Sequence, residues 1–150
     1  MRFIAKDFNE LTLAELYEIL KARSQIFIIE KNMHCQDMDG IDQSARHFFL
    51  EEDGKILAYL RAFGVSEGAV KIGRVLTITH GIGLGARLMS EALADIKKNM
   101  NCKKILVDAQ KSAVGFYEKM GFNAVSNEFL EEGVIHIKMA REDKTYEQLH

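Results

Sequence analysis

Three glycines, Gly81, Gly83 and Gly85, form the one glycine cluster in this chain of 150 residues. An apolar run precedes the cluster and an amphipathic pattern follows it, which predicts a strand, a loop and a helix. Such a loop can present bare backbone N–H groups and a helix N-terminus to an anion, and phosphate is the natural ligand. Side chains at these positions would hold a pyrophosphate away from those N–H groups. The alternative is a tight turn whose glycines only relieve backbone strain.

Two well-known phosphate loops do not fit this cluster. A Walker loop needs Lys and then Ser or Thr after its last glycine, whereas Ala86 and Arg87 follow Gly85 here. A dinucleotide fingerprint needs the spacing G-x-G-x-x-G, and the spacing here is G-x-G-x-G. The sequence therefore excludes both nucleotide-binding classes and keeps another phosphate-bearing ligand open.

Three aspartates, Asp37, Asp39 and Asp42, form an acidic stretch. An EF-hand register through this stretch would begin at Cys35 and end at Arg46, where Asp and Glu are required, so the sequence predicts no metal site. We expect instead a loop whose negative charge attracts a cationic amine.

Arg74 interrupts an otherwise apolar run. A buried arginine is costly unless it pairs with a carboxylate or reaches a cleft. The sequence leaves two interpretations open, which are an ion pair with the acidic stretch and a contact with a substrate.

The composition is that of a soluble globular chain. Twenty Lys and Arg against 22 Asp and Glu give a net charge of −2, and this near-neutral balance disfavours nucleic acid as a partner. Cys35 and Cys102 stand far apart, which excludes a disulfide framework and a thiolate zinc site. The N-terminus lacks a signal-peptide pattern and no apolar run is long enough for a membrane span. We expect a cytoplasmic protein with no membrane partner and one domain over residues 1–150.

The first half of the chain predicts a helix and then an antiparallel meander. Thr12 to Glu15 fits a capping box, and the apolar spacing behind it predicts a helix up to about Arg23. Gln25–Glu30 is a dense apolar run that fits either a strand or a continued helix. Turn signals such as Asp53-Gly54 then separate three predicted strands, His47–Glu51, Ile56–Phe63 and Val70–Ile78.

The second half of the chain alternates helices and strands. The patterns predict a helix over Gly83–Met100, a strand over Lys104–Ala109, a helix over Ala113–Met120, and a hairpin of Phe122–Glu128 with Val134–Ala140 around Glu131-Glu132-Gly133. Helices interleaved with strands after an antiparallel start indicate an α/β fold, built on a mixed sheet with helices on both faces.

Two motifs make the chain resemble the GNAT superfamily of acyl-CoA N-acyltransferases, from about Phe3 to Arg141. The Arg/Gln-x-x-Gly-x-Gly/Ala pyrophosphate loop of that family is similar to His80–Gly85, with His80 where members usually carry Arg or Gln. The Phe-Tyr-Glu-Lys-x-Gly-Phe element is present as Phe116–Phe122. The resemblance implies a central, mostly antiparallel sheet with helices on both faces.

Within the superfamily the chain most resembles the ElaA group. Five features match that group in the same order along the chain: Arg23–Lys31, the acidic stretch, His47, Ala109-Gln110 and Gly133–Met139.

The resemblance implies an N-acetyltransferase that moves an acetyl group from acetyl-CoA to a primary amine, of a small molecule or a peptide, by direct attack. Acetyl-CoA is then the cosubstrate, and backbone N–H groups of Leu76 and Thr77 would meet the acetyl carbonyl. The implied cofactor-binding residues are Val75, Leu76, Thr77, His80, Gly81, Ile82, Gly83, Leu84, Gly85, Ala86, Gln110, Phe116 and Tyr117.

Tyr117, Glu30 and His47 are the catalytic residues that the resemblance implies. Tyr117 matches the tyrosine that commonly protonates the CoA sulfur, and its alternative is a core tyrosine bonded to a backbone carbonyl. Glu30 and His47 match positions near the acceptor pocket, and His136 is a further candidate on the last hairpin; each has a structural role as its alternative.

Two other expectations concern the whole protein. A catalytically inactive CoA-binding or sensing module on the same fold is the alternative function. The resemblance also allows a homodimer, because relatives share their terminal hairpin between protomers. The amine acceptor stays unidentified, since no motif between Glu30 and Arg46 points to one.

Overall fold

The computed structural model describes residues 1–142. Within that range three α-helices and eight strands follow one another along the chain, and a π-helical segment, Ser24–Glu30, extends the first helix. The helices are α1 (Leu13–Arg23), α2 (Leu84–Asn99) and α3 (Val114–Lys119). The strands are β1 (Arg2–Asp7), β2 (Arg46–Glu52), β3 (Lys55–Ser66), β4 (Ala69–Thr77), β5 (Lys104–Gln110), β6 (Asn123–Ala124), β7 (Phe129–Glu131) and β8 (Val134–Glu142).

All eight strands belong to one sheet. Its order is β1-β2-β3-β4-β5-β8-β6, and β7 also pairs with β8. Every pairing is antiparallel except that of β4 with β5, which is parallel and is bridged by α2. The predicted mixed sheet, antiparallel for most of its width, is confirmed.

The sheet buries both of its faces. Because side chains alternate along a strand, Phe48 and Leu50 of β2 face one side and Phe49 faces the other. Phe48 and Leu50 pack in a core with the apolar stripe of α2, whereas Phe49 packs with Ile19 of α1 and with the π-helical segment. Helices therefore cover both faces, as the sequence predicts.

The N-terminal helix begins at a capping box. The Thr12 hydroxyl accepts a hydrogen bond from the Glu15 N–H at 3.0 Å, and the Glu15 carboxylate accepts one from the Thr12 N–H at 2.9 Å. The segment Ser24–Glu30 contains no glycine or proline, so the chain stays helical there and buries Ile26 and Phe27. The apolar run at Gln25–Glu30 is thus a helix continued in π geometry and not a strand.

Two elements differ from the sequence prediction. β1 was not predicted, although Phe3 pairs with Leu50 of β2. The predicted strand Phe122–Glu128 is wrong: only Asn123–Ala124 pairs there, and β7 begins at Phe129. The Ser126 hydroxyl accepts from the Lys138 N–H at 2.9 Å, so a side chain takes the place of a backbone acceptor and interrupts the ladder.

Both predicted hairpin turns are confirmed. Asp53 and Gly54 have φ angles of 52° and 77°, and Glu132 and Gly133 have φ angles of 50° and 74°. Positive φ at both central residues matches the right-handed twist of the flanking strands. No helix within residues 1–142 is long and apolar enough to cross a membrane.

Candidate active site

The two parallel strands at the centre of the sheet pair over only part of their length. Residues 69–72 of β4 pair with residues 104–107 of β5. Beyond that point β4 runs on to Thr77 beside β3, and β5 runs on to Gln110 beside β8, without pairing to each other. A gap, which we call the splay, thus opens between the C-terminal ends of β4 and β5, where backbone groups are free to meet a ligand.

A β-bulge in β4 marks the start of the splay. Between two paired positions the chain advances two residues in β3, from Tyr59 to Arg61, but three in β4, from Gly73 to Leu76. Arg74 lies in this bulge with a φ of 54°, a left-handed conformation that costs a residue with a side chain about 1–2 kcal/mol. Its side chain is held by Asp37, through a 3.0 Å ion pair and a 3.0 Å hydrogen bond to the Asp37 carbonyl.

The loop after β4, residues 78–86, is called the amide loop here. Gly81 and Gly83 have φ angles of 81° and 80°, and a Cβ built on either would meet no atom within 4 Å. The glycines therefore supply the backbone conformation, and the space before them is open. Gly83 caps α2 without a side-chain hydrogen bond, so the first N–H groups of the helix have no intrahelical acceptor. The arrangement fits an anion such as a diphosphate.

The amide loop lies against the end of β4 and against α3. A Cβ built on Gly85 would be 3.6 Å from Cγ2 of Thr77 and 3.9 Å from Cζ of Phe116, which are ordinary contact distances. Phe116 in turn contacts Tyr117 edge to face, with ring centroids 5.2 Å apart. The fold therefore brings the predicted loop, the end of β4 and the Phe-Tyr element of α3 into one region.

Tyr117 is buried, but its hydroxyl has no hydrogen-bond partner in the part of the chain that the structure describes. Only 6% of the residue is exposed, and its ring also packs edge to face on Phe122 at 5.6 Å. Burial raises the pKa of Tyr117 to about 12, so the phenol keeps its proton at neutral pH. Among residues 1–142 no group forms a hydrogen bond with this hydroxyl. A core tyrosine bonded to a backbone carbonyl, the alternative in the sequence, does not describe this geometry.

His80 joins the amide loop to the end of the π-helical segment. Its Nδ1 is 3.1 Å from Oγ1 of Thr77, and its Nε2 is 3.2 Å from Oε1 of Glu30. Both His80 and Glu30 are exposed, with 64% and 45% of their side chains accessible. Glu30 therefore lies at the mouth of the splay, on the side where the sequence predicts the acceptor pocket.

His47 is placed differently from Glu30. It is 0% exposed, and its ring nitrogens lie 2.7 Å from the Tyr59 hydroxyl and 2.9 Å from the Asp42 carbonyl. A carbonyl only accepts, so Nε2 donates to Asp42 and Nδ1 of the neutral ring accepts from Tyr59. Burial lowers the pKa of His47, which favours this neutral form. In this conformation the ring has no surface to offer an amine.

The remaining predicted positions line the two sides of the splay. Val75 lies in the bulge of β4 beside Arg74, Leu76 follows it, and Gln110 ends β5. His136 of β8 is paired with Gln110, stacks on Phe129 and bonds the Val134 carbonyl at 2.8 Å through Nδ1. It is 6% exposed, so it belongs to the wall on the β5 side.

Three arginines neutralise the acidic stretch, and together they form what we call the Arg–Asp cluster: Arg23, Arg61, Arg74, Asp37, Asp39 and Asp42. Arg23 is 0% exposed and reaches Asp42 at 2.7 Å and Asp37 at 3.0 Å. Arg61 is 2% exposed and reaches Asp42 at 2.8 Å and Asp39 at 2.9 Å. Arg74 completes the cluster through Asp37.

The cluster overturns one expectation from the sequence. Hydrogen bonds from Arg61 hold the pKa of Asp39 well below its usual range. For Asp42, burial would raise the pKa, but hydrogen bonds from Arg23 and Arg61 outweigh it and lower the pKa. The three carboxylates thus form ion pairs with the arginines and do not attract a cationic amine. Of the two interpretations of Arg74, the ion pair with the acidic stretch is confirmed.

Sequence reasoning missed two members of the cluster as partners of the acidic stretch. Arg61 is a lone charge inside the apolar run of β3, the same signal that singled out Arg74. Arg23 carried no such signal, because it ends a helix whose last turn commonly holds a basic residue. No group of three or more His, Cys, Asp or Glu side chains within residues 1–142 is placed to hold a metal ion.

A family model, that of the acetyltransferase (GNAT) domain, matches residues 6–142. The chain therefore belongs to the GNAT acyltransferase family.

Within that family it is an ElaA-like protein. The structure of Escherichia coli ElaA superposes with a TM-score of 0.89 at 32% identity, over 95% of this chain and 100% of ElaA. An acyl-CoA N-acyltransferase from Pseudomonas aeruginosa superposes with a TM-score of 0.86 at 35% identity, over 94% of this chain and 99% of that one. A UPF0039 protein from Schizosaccharomyces pombe is 33% identical over 95% of this chain and 97% of its own length.

Proposed function

We propose that the protein is an N-acetyltransferase, which moves an acetyl group from acetyl-CoA to a primary amine by direct attack. One observation carries the proposal: the open amide loop, the end of β4 that does not pair with β5, and the Phe116-Tyr117 element of α3 lie in one region. Acyl transfer to an amine needs donors for a developing oxyanion and an acid for the departing thiolate. The family supplies the reaction class, and the P. aeruginosa relative is named as an acyl-CoA N-acyltransferase.

The proposal assigns the cofactor to the amide loop and the splay. Main-chain N–H groups from His80 to Ala86 would hold the diphosphate, since the glycines leave the space before them open. The N–H groups of Leu76 and Thr77 would meet the acetyl carbonyl at the end of β4 that does not pair with β5. Val75, Gln110 and Phe116 lie beside this path.

Tyr117 would protonate the departing CoA thiolate. The reaction breaks the C–S bond as the amine nitrogen bonds to the acetyl carbon, and the sulfur then needs a proton. Because burial raises the pKa of Tyr117 to about 12, its phenol is protonated at neutral pH and available to donate. Because no group among residues 1–142 accepts a hydrogen bond from the Tyr117 hydroxyl, this proton is available for the sulfur.

The two other expected catalytic residues differ in exposure, and we propose different roles for them. Glu30 is exposed at the splay and keeps a role on the acceptor side. His47 is buried behind the Arg–Asp cluster, and we assign it a positioning role because its ring holds the Asp42 carbonyl.

The test measures binding and turnover separately. Release of CoA thiol is followed with acetyl-CoA and a panel of primary amines, from small polyamines to peptides with a free N-terminus. Thermal unfolding with CoA alone gives the binding readout, because a ligand at 100 times its Kd stabilises the fold by about 2.7 kcal/mol. We expect both stabilisation and amine-dependent thiol release. Stabilisation without turnover for any amine would instead identify a CoA-binding module.

Replacing the tyrosine with Tyr117→Phe should lower kcat about 10²-fold, since a positioned general acid contributes that much or more. The unfolding free energy should stay within about 0.5 kcal/mol, because no protein hydrogen bond is lost. Steady-state thiol release and urea unfolding check the two parts. Full turnover in Tyr117→Phe would remove its role as the acid.

A further inference from the structure

We propose that Thr77, His80 and Glu30 form a proton relay that deprotonates the acceptor amine, an inference that rests on the proposed acetyl transfer. The three side chains come from separate places in the chain, namely the end of β4, the amide loop and the end of the π-helical segment. They lie in one line of hydrogen bonds, 3.1 Å from Thr77 to Nδ1 and 3.2 Å from Nε2 to Glu30.

The chemistry of the partners fixes the direction of this line. An ionised carboxylate only accepts hydrogen bonds, so Nε2 of His80 carries the hydrogen that Glu30 accepts. Nδ1 of the neutral ring is then an acceptor, and the Thr77 hydroxyl donates to it. The line is therefore set to take a proton at Thr77 and pass it to His80.

The same contacts separate His80 from the diphosphate. Both ring nitrogens are engaged on the acceptor side, which leaves no atom of the side chain for a phosphate. The main chain of the amide loop still presents its own N–H groups. His80 thus contributes its backbone to the proposed cofactor site and its imidazole to the acceptor site.

Thr77 is well placed to meet the incoming amine. We propose that its own N–H group faces the acetyl carbonyl, and an attacking nitrogen must approach that carbon to about 3–3.5 Å. A primary amine arrives as an ammonium and must lose one proton before it can attack. That proton goes to the Thr77 oxygen as the hydroxyl proton moves to Nδ1. The result is a neutral amine, an unchanged threonine and an imidazolium paired with Glu30.

Glu30 is the charged group in contact with the His80 ring among residues 1–142, and it stabilises the imidazolium. The exposed ring can return its proton to solvent after each turnover. Turnover should therefore be greater at higher pH, since only a neutral ring accepts a proton and only a neutral amine attacks.

The central experiment compares His80→Gln with His80→Arg, using the amine that the wild type turns over best. Glutamine can hydrogen-bond to both neighbours but takes up no proton, and arginine can pair with Glu30 and with phosphates. We expect kcat/KM for the amine to fall about 10²-fold at pH 7 in both variants. The difference from the wild type should shrink as pH rises, because more of the amine is then already neutral. The Kd for CoA should stay within twofold in His80→Gln.

Two further variants test the ends of the relay. Thr77→Val keeps the shape of the side chain without its hydroxyl, and we expect a tenfold loss in kcat. Glu30→Gln removes the charge that stabilises the imidazolium, so kcat/KM for the amine should fall across the rate profile. Glu67→Gln is the matched control, because Glu67 is also exposed but lies in the turn at the opposite end of β4. It should leave the profile unchanged.

Nitrogen-15 NMR of His80 gives a readout that does not depend on turnover. The wild type should show the Nε2–H tautomer, because Nε2 donates to the Glu30 carboxylate. Wild-type rates across pH in His80→Gln would overturn the relay alone. A tenfold weaker CoA Kd with unchanged kcat would assign the imidazole to the phosphates and also overturn it. A wild type that binds CoA but acetylates no amine would overturn the proposed function and the relay together.

Discussion

The Arg–Asp cluster and the amide loop are both rich in polar groups, and they use them in opposite ways. In the cluster, arginines that are 0% and 2% exposed find a carboxylate within 3 Å. In the amide loop, the backbone N–H groups at the start of α2 have no intrahelical partner. Both regions adjoin the C-terminal part of β4. Arg74 of the cluster lies in the bulge, and the amide loop begins after Thr77.

This contrast distinguishes polar groups that hold the backbone of the site in place from polar groups that are available to bind a ligand. Polar groups satisfied inside the protein hold a backbone shape and cannot also bind a substrate. Polar groups left open cost little at the surface and become donors when a ligand arrives. A carboxylate count from the sequence cannot tell the two apart, which is why the acidic stretch invited the wrong role.

The largest effect should come from breaking the cluster. Arg23→Met removes the cation shared by Asp37 and Asp42 and leaves the cluster with three carboxylates against two arginines, and one uncompensated buried charge typically costs about 3–5 kcal/mol. Urea unfolding measures the loss. Arg2→Met is the matched control, because Arg2 pairs with Glu51 at 3.1 Å while 74% of its side chain is exposed, and it should cost about 0–1 kcal/mol. Equal losses in the two variants would show that the cluster is not a stabilising core.

A smaller effect should follow from titrating His47 behind the cluster. Burial lowers its folded pKa below the unfolded value of about 6.5, so the unfolded state binds the proton first. Its stabilisation is present above about pH 6.5 and is lost as pH falls toward the folded pKa, at up to about 1.4 kcal/mol per pH unit. Unfolding free energies from pH 8 to pH 5 check the slope. His47→Gln should flatten it, and an unchanged slope would assign the pH dependence to other groups.

The smallest effect should come from placing a side chain in the amide loop. Gly83→Ala puts Ala at a φ of 80° and should cost about 1 kcal/mol, as well as weakening the stabilisation by CoA. Gly64→Ala is the matched control, since Gly64 has no positive φ, its Cβ would meet no atom within 4 Å, and it lies in β3 outside the amide loop. It should keep both stability and CoA binding. Equal behaviour of the two variants in thermal shift would contradict the conformational role of Gly83.

Most of the fold could be predicted from local patterns. The capping box at Thr12, the stripe of α2 and the Asp53-Gly54 turn each follow from chemistry within a few residues. Gln25–Glu30 could not be assigned, because a buried apolar run has no period that distinguishes helix from strand. β1 was missed, since a short strand at a sheet edge needs its partner β2 to be visible.

The site divides along the same line. The amide loop and the Tyr117 element are contiguous motifs, so their positions in the fold could be anticipated from sequence. The contacts of His80 with Glu30, and of Arg61 with Asp39, join residues 50 and 22 positions apart. Such pairings depend on how β3, β4 and the acidic stretch are folded against one another, and no local pattern encodes them.

The bulge at Arg74 would limit any attempt to change the acceptor of the proposed transfer by exchanging a segment of the chain. The Arg74 side chain in this bulge is held by Asp37, which belongs to the segment between the π-helical segment and β2. Grafting a foreign segment there would alter the angle of the strand end along with the pocket. A grafted segment that retains a carboxylate at position 37 should preserve turnover. A segment without it must supply another acceptor for the Arg74 side chain.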